Sequence, residues 1–568
     1  MGQDRLIRPR WKILNDRIPA TISDVIDILL QNRNLDRRDI CGELKDLSEH
    51  LGIRGMADGA GLLAKHMADQ NKIVVVADYD CDGITSAAQV SLFLHEIGYE
   101  NFRVVIPSRD EGYGIPERAI SENPDAKVFL ALDCGTLDLG PIRLALSMGA
   151  DCIVIDHHEV PADSGAALAP ASVLINPKHP ECCSQFKEFC ASGLTFLFLA
   201  SLRRAIGNRF PRPALGGKYL ALAATGTVAD LVPLVSANRI LARSGLRNLN
   251  ANACAPLSHL ALAAGLSGKT LTAGHIGFYL GPRINAAGRI SEGQIAYDLL
   301  TSDQPPRLIR LARELSDLNA KRQAREEKVL GDIRTHLAEH PPDGRTLVLG
   351  HPEWPPGIVG IAASRVQQSL YYAPVVIFSI DERKGIARGS ARSIPGFDIH
   401  HALSMCTELL IKWGGHKAAA GLTIAADRIG EFACRFEEIA RQYEAEIFIP
   451  HGKVDLELPM VLVGSELVKA LEELEPHGMG NPAPLFALRG ARFNLARVFG
   501  KEQNHLKLEF ENGLEGIWWR GAQHFAEISS DRKICRGSGQ TLDMVFQLGW
   551  NSFNGKPMLE IRDLGKLF

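Results

Sequence analysis

The chain contains no run of about 18 apolar residues, so no helix is expected to cross a membrane. Its first residues, Met1-Gly2-Gln3-Asp4-Arg5, lead into no apolar core, and no signal peptide is expected. The 11 cysteines include no C-x-x-C pair, and Cys182 and Cys183 are adjacent in sequence, so neither a zinc ribbon nor a disulfide framework is expected. That usage fits a reducing, cytoplasmic compartment. Excess positive charge is also missing. A formal net charge of -3 argues against a uniformly basic nucleic-acid coat, though not against a local basic channel. What is present is length and apolar content. With 568 residues, 46% of them hydrophobic, the chain can build several cores, and roughly three or four domains are expected.

One stretch organises the rest. Ile73-Val74-Val75-Val76-Ala77 reads as a buried parallel strand, and Asp78-Tyr79-Asp80-Cys81-Asp82-Gly83 follows at once. Alternate residues of an extended segment point the same way, so at least two of these carboxylates can converge. Crowded carboxylates repel one another unless a cation sits among them, and a hard divalent metal satisfies that need. The alternative is a solvated acidic turn with one Asp capping the helix that begins near Thr85, but a cap needs one Asp and not three.

From residue 73 onward strands and helices alternate. Further strands are expected at Phe102–Ile106, Lys127–Leu132 and Asp151–Ile155, and their spacing suits βα units in a mainly parallel sheet. The strand ends repeat the first pattern: Leu132 runs into Asp133-Cys134-Gly135-Thr136, and Ile155 into Asp156-His157-His158. In a parallel sheet such ends share one edge, so Asp80, Asp82, Asp133, Asp156 and His157 can meet in space. Asp230, in Gly226-Thr227-Val228-Ala229-Asp230-Leu231, sits in apolar company and needs a metal, a base or a structural hydrogen bond. Carboxylates with one or two imidazoles suit Mn²⁺ or Mg²⁺ better than structural zinc. Two such ions about 4 Å apart suit phosphoester hydrolysis.

The aspartate motif with Asp156-His157-His158 resembles the DHH phosphoesterase superfamily. Leu280-Gly281-Pro282-Arg283-Ile284-Asn285-Ala286-Ala287-Gly288-Arg289, Gly226 to Leu234, and Pro476-His477-Gly478-Met479-Gly480-Asn481-Pro482 are similar to its bacterial single-strand-specific exonuclease branch. The resemblance runs from about residue 70 to the C-terminus. It implies two bound divalent ions, Mn²⁺ or Mg²⁺, with Asp80, Asp82, Asp133, His157 and Asp230 as ligands and Asp133 bridging. Asp78 is either a ligand or a support. Asp156 is expected to orient the site, and His158 to face the scissile phosphate. Arg109, in the loop to Tyr113 and Gly114, and Arg283 are expected to hold a terminal 5′ phosphate; Tyr113, Asn285 and Arg289 are further candidates for nucleic-acid contact.

A long amphipathic helix is expected from about 303 to 340, since Leu308, Leu311, Leu315 and Leu318 keep the 3/4 spacing. A second α/β lobe follows. By resemblance it is a DHHA1-type substrate-binding domain in which Ser390, Arg392 and Gly415 complete the phosphate pocket and His416 lies near the reacting phosphate. Pro355 follows Trp354 where relatives commonly carry His, so that segment is assigned only packing. The last 120 or so residues carry about five short alternating runs, which suits an OB-like β-barrel. Trp518, Trp519, Trp550 and Phe553 are candidates for base stacking, and some of them must instead fill the core.

The expected architecture is therefore α/β: a DHH domain and a DHHA1-type domain joined by a long helix, plus the C-terminal barrel. The boundaries are 1–45 for an N-terminal helical extension, 46–302, 303–343, 344–448 and 449–568. The expected activity is metal-dependent 5′-to-3′ exonuclease action on single-stranded DNA, in repair and recombination. Expected partners are single-stranded DNA, a helicase and a single-strand-binding protein, around a monomer with no membrane contact. The alternatives are a phosphodiesterase on small nucleotides or pyrophosphate, and a catalytically silent replication scaffold like the related Cdc45.

Overall fold

The apolar runs become strands within one residue of the expected bounds. In a computed structural model, which describes residues 7–160, 168–510, 512–528, 541–551 and 554–568, five strands form one wholly parallel sheet. Their order is Phe102–Val105, Ile73–Ala77, Val128–Leu132, Asp151–Ile155 and Val173–Ile175. The last, three residues long, escapes the sequence pattern. Alternation along the strands feeds two cores. Ile73, Val75, Leu130 and Ile153 pack on one face, Val74, Val76, Phe129 and Val154 on the other. The register fixes what happens at the sheet's edge. Ala77 pairs with Leu132, and Leu132 with Ile155, so Asp78, Asp133 and Asp156 each stand one residue beyond the same row.

The chain divides into two compact units. One comprises residues 33–320 with 473–483 and holds this sheet. Helices Cys81–Glu96 and Ala191–Ala205 pack on it, Lys218–Ala229 packs on both of these and is buried nearly all round, and Ser236–Asn250 packs on Lys218–Ala229. Arg239 is buried there, and its guanidinium donates to the carbonyls of Glu473, Leu474 and Glu475.

The other unit takes in the chain up to Asn32, Lys321–Glu472 and Pro484–Phe568. It has a five-stranded mixed sheet in the order Leu410–Gly415, Ala419–Ala425, Ile386–Arg392, Val375–Asp381 and Leu347–His351. Helices Pro356–Ser369 and Ile429–Arg441 pack on it. Pro355 stands at the N-cap of the first of these, and Trp354 is buried in the core beside it. The long helix is Pro305–Glu339.

Two findings depart from the expected outline. The N-terminal extension, expected to be helical, also contains a strand, Arg10–Asn15, whose residues alternate between half-buried and exposed; it pairs in parallel with His451–Glu457. And the C-terminal strands form one eight-stranded order with no closing pair among the described residues, so the expected barrel is an open sheet there. Its order is Arg10–Asn15, His451–Glu457, Phe486–Ala491, Leu542–Trp550, Pro557–Gly565, Glu515–Trp518, His505–Phe510 and Phe493–Phe499. Among the described residues no helix is long and apolar enough to cross a membrane.

Candidate metal centre

The three aspartates of the first strand end do three different jobs. Asp80 is the N-cap of Cys81–Glu96: its Oδ1 accepts from the N–H groups of Asp82 (2.8 Å) and Gly83 (3.1 Å). The capping interpretation of this turn is thus correct for one Asp, which keeps a second oxygen for the cluster. Asp82 lies in the first turn, buried, and its carboxylate accepts from Ala191 N–H and Ser192 N–H. Asp78 is buried with Oδ1 lacking any hydrogen-bond partner. The turn requires Gly83, because a Cβ there would lie 2.3 Å from the carbonyl oxygen of Asp78.

Asp133 leaves the next strand with φ of +62°, a left-handed conformation that a non-glycine residue adopts at a cost. Its Oδ1 is buried without a partner. Asp156 leaves the strand Asp151–Ile155 from the same register but turns away into its own loop. Its Oδ2 accepts from Thr136 N–H (3.0 Å), and its Oδ1 from His157 N–H (2.7 Å), His158 N–H (3.2 Å) and His158 Nδ1 (2.7 Å). Asp156 is therefore the organiser of the two histidines and offers no ligand atom to the cluster's shared groups.

His157 points the other way. Its Nε2 is buried without a hydrogen-bond partner, 3.2 Å from Asp133 Oδ1, 3.6 Å from Asp230 Oδ2 and 3.7 Å from Asp82 Oδ2. The ring bonds instead to the Phe189 backbone, which leaves Nε2 available as a ligand atom. Asp230 caps the C-terminal end of Lys218–Ala229, and Leu231 after it has φ of +62°.

Three groups of potential ligands overlap: Asp78, Asp80 and Asp133; Asp133, His157 and His158; Asp82, His157 and Asp230. Asp133 belongs to the first two, and His157 joins the second to the third.

The charges agree with a cation site. Burial, then the Asp80 charge, pushes both Asp78 and Asp82 up to about 7. Burial with Asp82 and Asp80 raises Asp230 to about 8 and puts Asp133 well above the carboxylate range. Burial, then the charge of His158, lowers His157 to about 3, so its imidazole is neutral. Burial would also lower His158, but Asp156 and the nearby carboxylates outweigh it and raise it to about 9. Burial would raise Asp156, but the hydrogen bonds and charge of His158 hold it below its usual range. Metal-free, this cluster must hold protons to relieve its own repulsion. Buried ligand atoms without partners, a neutral imidazole and oxygen donors fit Mn²⁺ or Mg²⁺.

The phosphate candidates separate into those that face outward and those that do not. Arg109 lies over the Tyr79 ring at 5.4 Å, and the charge of Arg289 also reaches that phenol. Arg283 is half-buried, donating to Ser316 Oγ (3.1 Å) and the Tyr279 carbonyl (2.8 Å). Asn285 Oδ1 accepts from Cys81 N–H (2.7 Å), so that residue braces the aspartate turn. Tyr113 is half exposed, and its hydroxyl donates to the Asp133 carbonyl (3.1 Å) and lies 2.9 Å from His158 Nδ1.

In the other unit, Gly414 pairs with Gly421 and Gly421 with Ser390, which brings Gly415, Ser390 and Arg392 onto one sheet. Arg392 donates to Ser364 Oγ (2.9 Å), Ser390 Oγ (3.0 Å) and the Ala391 carbonyl (2.8 Å), and burial lowers its pKa. Gly415 has φ of +149°, and a Cβ would meet the Ala419 carbonyl at 2.4 Å. His416 beside it is exposed.

Trp518 is corrected: at 4% exposure it fills the core against Gly521 and cannot stack on a base. Trp519 is 46% exposed, its ring braced edge-on by His505 and Phe499. Trp550 donates to Glu472 Oε1 (2.6 Å), and Phe553 lies outside the described residues. Thr136 stood in the Asp133 motif without a role, and no motif pointed to Ala191 or Ser192, which like it contribute backbone N–H groups, nor to Ser364 beside Arg392.

Three family models match the chain: DHH family, N-terminal domain, over residues 72–227; DHHA1 domain over 343–442; and RecJ OB domain over 454–563. The single-stranded-DNA-specific exonuclease RecJ of Dickeya dadantii is 31% identical over 578 residues, covering 96% of each chain. That of Bacillus subtilis is 32% identical over 526 residues; the match covers 91% of this chain and 64% of the relative's length. The crystal structure of RecJ from Thermus thermophilus in complex with Mn²⁺ superposes with a TM-score of 0.80 at 30% identity, covering 98% of this chain and 79% of that one. Its Mg²⁺ complex gives 0.75 at 28%, covering 98% and 78%.

Proposed function

The chain belongs to the RecJ family, and from that premise we propose that it is a divalent-metal-dependent exonuclease that degrades single-stranded DNA from its 5′ end to 5′-mononucleotides. The observation that carries this reading is the overlap of three ligand groups through Asp133 and His157, with ligand atoms buried and unpartnered. Asp78, Asp80, Asp82, Asp133, His157 and Asp230 would hold two ions. When bound, these ions supply an activated water and clamp the charge of the transferring phosphate.

The chain's own residues do the rest. Asp156 fixes the two histidine backbones and the His158 ring. His158, cationic in the metal-free protein and partly exposed, presents a donor to a phosphate oxygen. Arg109 and Arg283 grip the terminal phosphate from one unit. Ser390, Arg392 and the Gly415 backbone form a second phosphate cradle, with His416 next to it. Arg392 is half-buried, and its acceptors Ser364, Ser390 and the Ala391 carbonyl are all uncharged, which favours an anion. Trp519 borders a cavity of about 600 Å³ that also has Gln503, Asn504 and Gln523 in its wall, a mixture of aromatic face and amides that suits a base.

The enzyme acts as a monomer in the cytoplasm, in repair and recombination. A helicase that unwinds duplex and a single-strand-binding protein supply its substrate. Among the described residues every cysteine is free, as a reducing compartment keeps them.

The test uses 5′-labelled and 3′-labelled single-stranded DNA with Mn²⁺ or with EDTA, for wild type and Asp133→Ala. Metal-dependent release of labelled mononucleotide from the 5′ end, absent in Asp133→Ala, is the expected result. No cleavage by wild type with any divalent metal overturns the reading.

A further inference from the structure

Behind Asp82 lies a polar network that ligand chemistry alone does not account for. Ala191 N–H donates to Asp82 Oδ2 (2.7 Å) and Ser192 N–H to Oδ1 (2.8 Å). These are the first two donors of the helix Ala191–Ala205, and the third, Gly193 N–H, is met by Cys190 Sγ (3.3 Å). A helix N-terminus suits a carboxylate. It holds that carboxylate in place only if the helix end is itself held.

Side chains from Asp82's own helix provide that hold. Gln89 Nε2 donates to Ser192 Oγ (2.8 Å) and to the Ser192 carbonyl (3.1 Å), and Thr85 Oγ1 lies 2.9 Å from Ser192 Oγ. Thr85, Gln89 and Ser192 are fully buried. The circuit therefore runs from Asp82 to the N-terminus of a second helix and back to the helix that carries Asp82. A third helix crosses at the same point. A Cβ on Gly226 would meet Ser192 Cβ at 2.4 Å and Thr85 Oγ1 at 2.6 Å, and four residues later that helix delivers Asp230.

The network is not built for stability alone, since one of its atoms is left unsatisfied. Gln89 Oε1 is buried without a partner, a cost that an apolar side chain of the same shape would not carry. We infer that Thr85, Gln89 and Ser192 are positioning residues of the metal centre: they lock three helices together so that Asp82 and Asp230 keep the separation a shared ion requires. The inference rests on the metal-centre reading above. It assigns to side chains that touch no ion the task of preorganising the ligands.

The experiment measures Mn²⁺ binding to the full-length chain by calorimetry, with thermal unfolding of each metal-free protein. The variants are Ser192→Ala, Gln89→Met, Thr85→Val and, as the conservative control, Thr85→Ser. Wild type binds. Gln89→Met and Thr85→Val, which keep side-chain volume, bind about 10- to 100-fold more weakly, the usual cost of an outer-shell partner. Thr85→Ser binds as wild type, and raising Mn²⁺ restores the turnover of the weakened variants. If Ser192→Ala does not fold, the two volume-conserving variants decide. Variants that bind Mn²⁺ as wild type does, whatever their thermal stability, overturn the inference while leaving the metal-centre reading intact. A wild type that binds no Mn²⁺ overturns both.

Discussion

Asp133 Oδ1 and His157 Nε2 face each other at 3.2 Å, both buried and neither in a hydrogen bond. Between them there is room only for a proton in the metal-free protein, and a shared cation would satisfy both atoms. Asp133→Asn is expected to lower the rate on single-stranded DNA at least about a hundredfold, since even an outer-shell loss can cost that much. The same substitution removes one repelling charge, so in EDTA at pH 8 the variant should melt above wild type. Equal or lower melting would show that the cluster is not under charge strain.

The pH dependence of the metal-free protein follows from the same crowding. Folded-state Asp78 and Asp82 titrate near 7 and Asp230 near 8, above the ordinary carboxylate value of about 4. Between about pH 4 and pH 8 the folded chain thus holds protons that the unfolded chain has released. Stability falls as pH rises through that window. Thermal unfolding in EDTA should show a lower midpoint at pH 8 than at pH 6, and saturating Mn²⁺ should shrink the difference. Below about pH 5 Mn²⁺ should protect little, because its ligands are protonated.

Gly83→Ala tests the close approach under the aspartate turn. The added methyl would lie 2.3 Å from the Asp78 carbonyl oxygen, and backbone on both sides must move. A loss of about 1–3 kcal/mol in urea unfolding is expected, together with weaker Mn²⁺ binding because Asp78 and Asp80 shift.

Arg392→Lys separates charge from geometry. The lysine keeps the cation but cannot bridge Ser364 and Ser390 as the planar guanidinium does. KM for 5′-phosphorylated strands should rise about tenfold, in line with loss of a charge-assisted hydrogen bond. KM for 5′-hydroxyl strands should change much less. An equal change for both would remove Arg392 from phosphate recognition.

Asp563→Ala tests the anchoring of the strand Arg10–Asn15. The Asp563 carboxylate is buried and accepts from Arg8 Nη2 (2.6 Å), Trp11 Nε1 (2.8 Å) and Leu564 N–H (2.9 Å). Arg8 is partly exposed, so its charge contributes little. The orphaned indole and amide should cost about 1–3 kcal/mol. Amide exchange across Arg10–Asn15 should accelerate more than across Ile73–Ala77.

The central strands were legible because they are buried on both faces and read as unbroken apolar runs. Their ends were legible because parallel strands in register deliver their next residues to one edge. The direction of each carboxylate was not legible. Asp78, Asp133 and Asp156 follow the same row, yet Asp133, with a left-handed φ, joins the cluster of potential ligands and Asp156 bonds back into its own loop. Asn285 sits in a motif that suggests nucleic acid but supports the turn at Cys81. Trp518 and Trp519 are neighbours in the chain, and alternation sends one inward and one outward. The strand Arg10–Asn15 was missed because half of its residues are polar and its partner lies far along the chain.

That pairing has a consequence for synthesis. On the ribosome, Arg10–Asn15 emerges long before its partner His451–Glu457. The five-stranded parallel sheet needs only residues between 73 and 175, so it can assemble while the rest is being made. A chain that stops before residue 451 is left with an unpaired strand edge at Arg10–Asn15, and with Arg239 deprived of the carbonyls at 473–475. Incomplete products are therefore expected to expose an open strand edge and an arginine without its acceptors, both of which favour proteolysis.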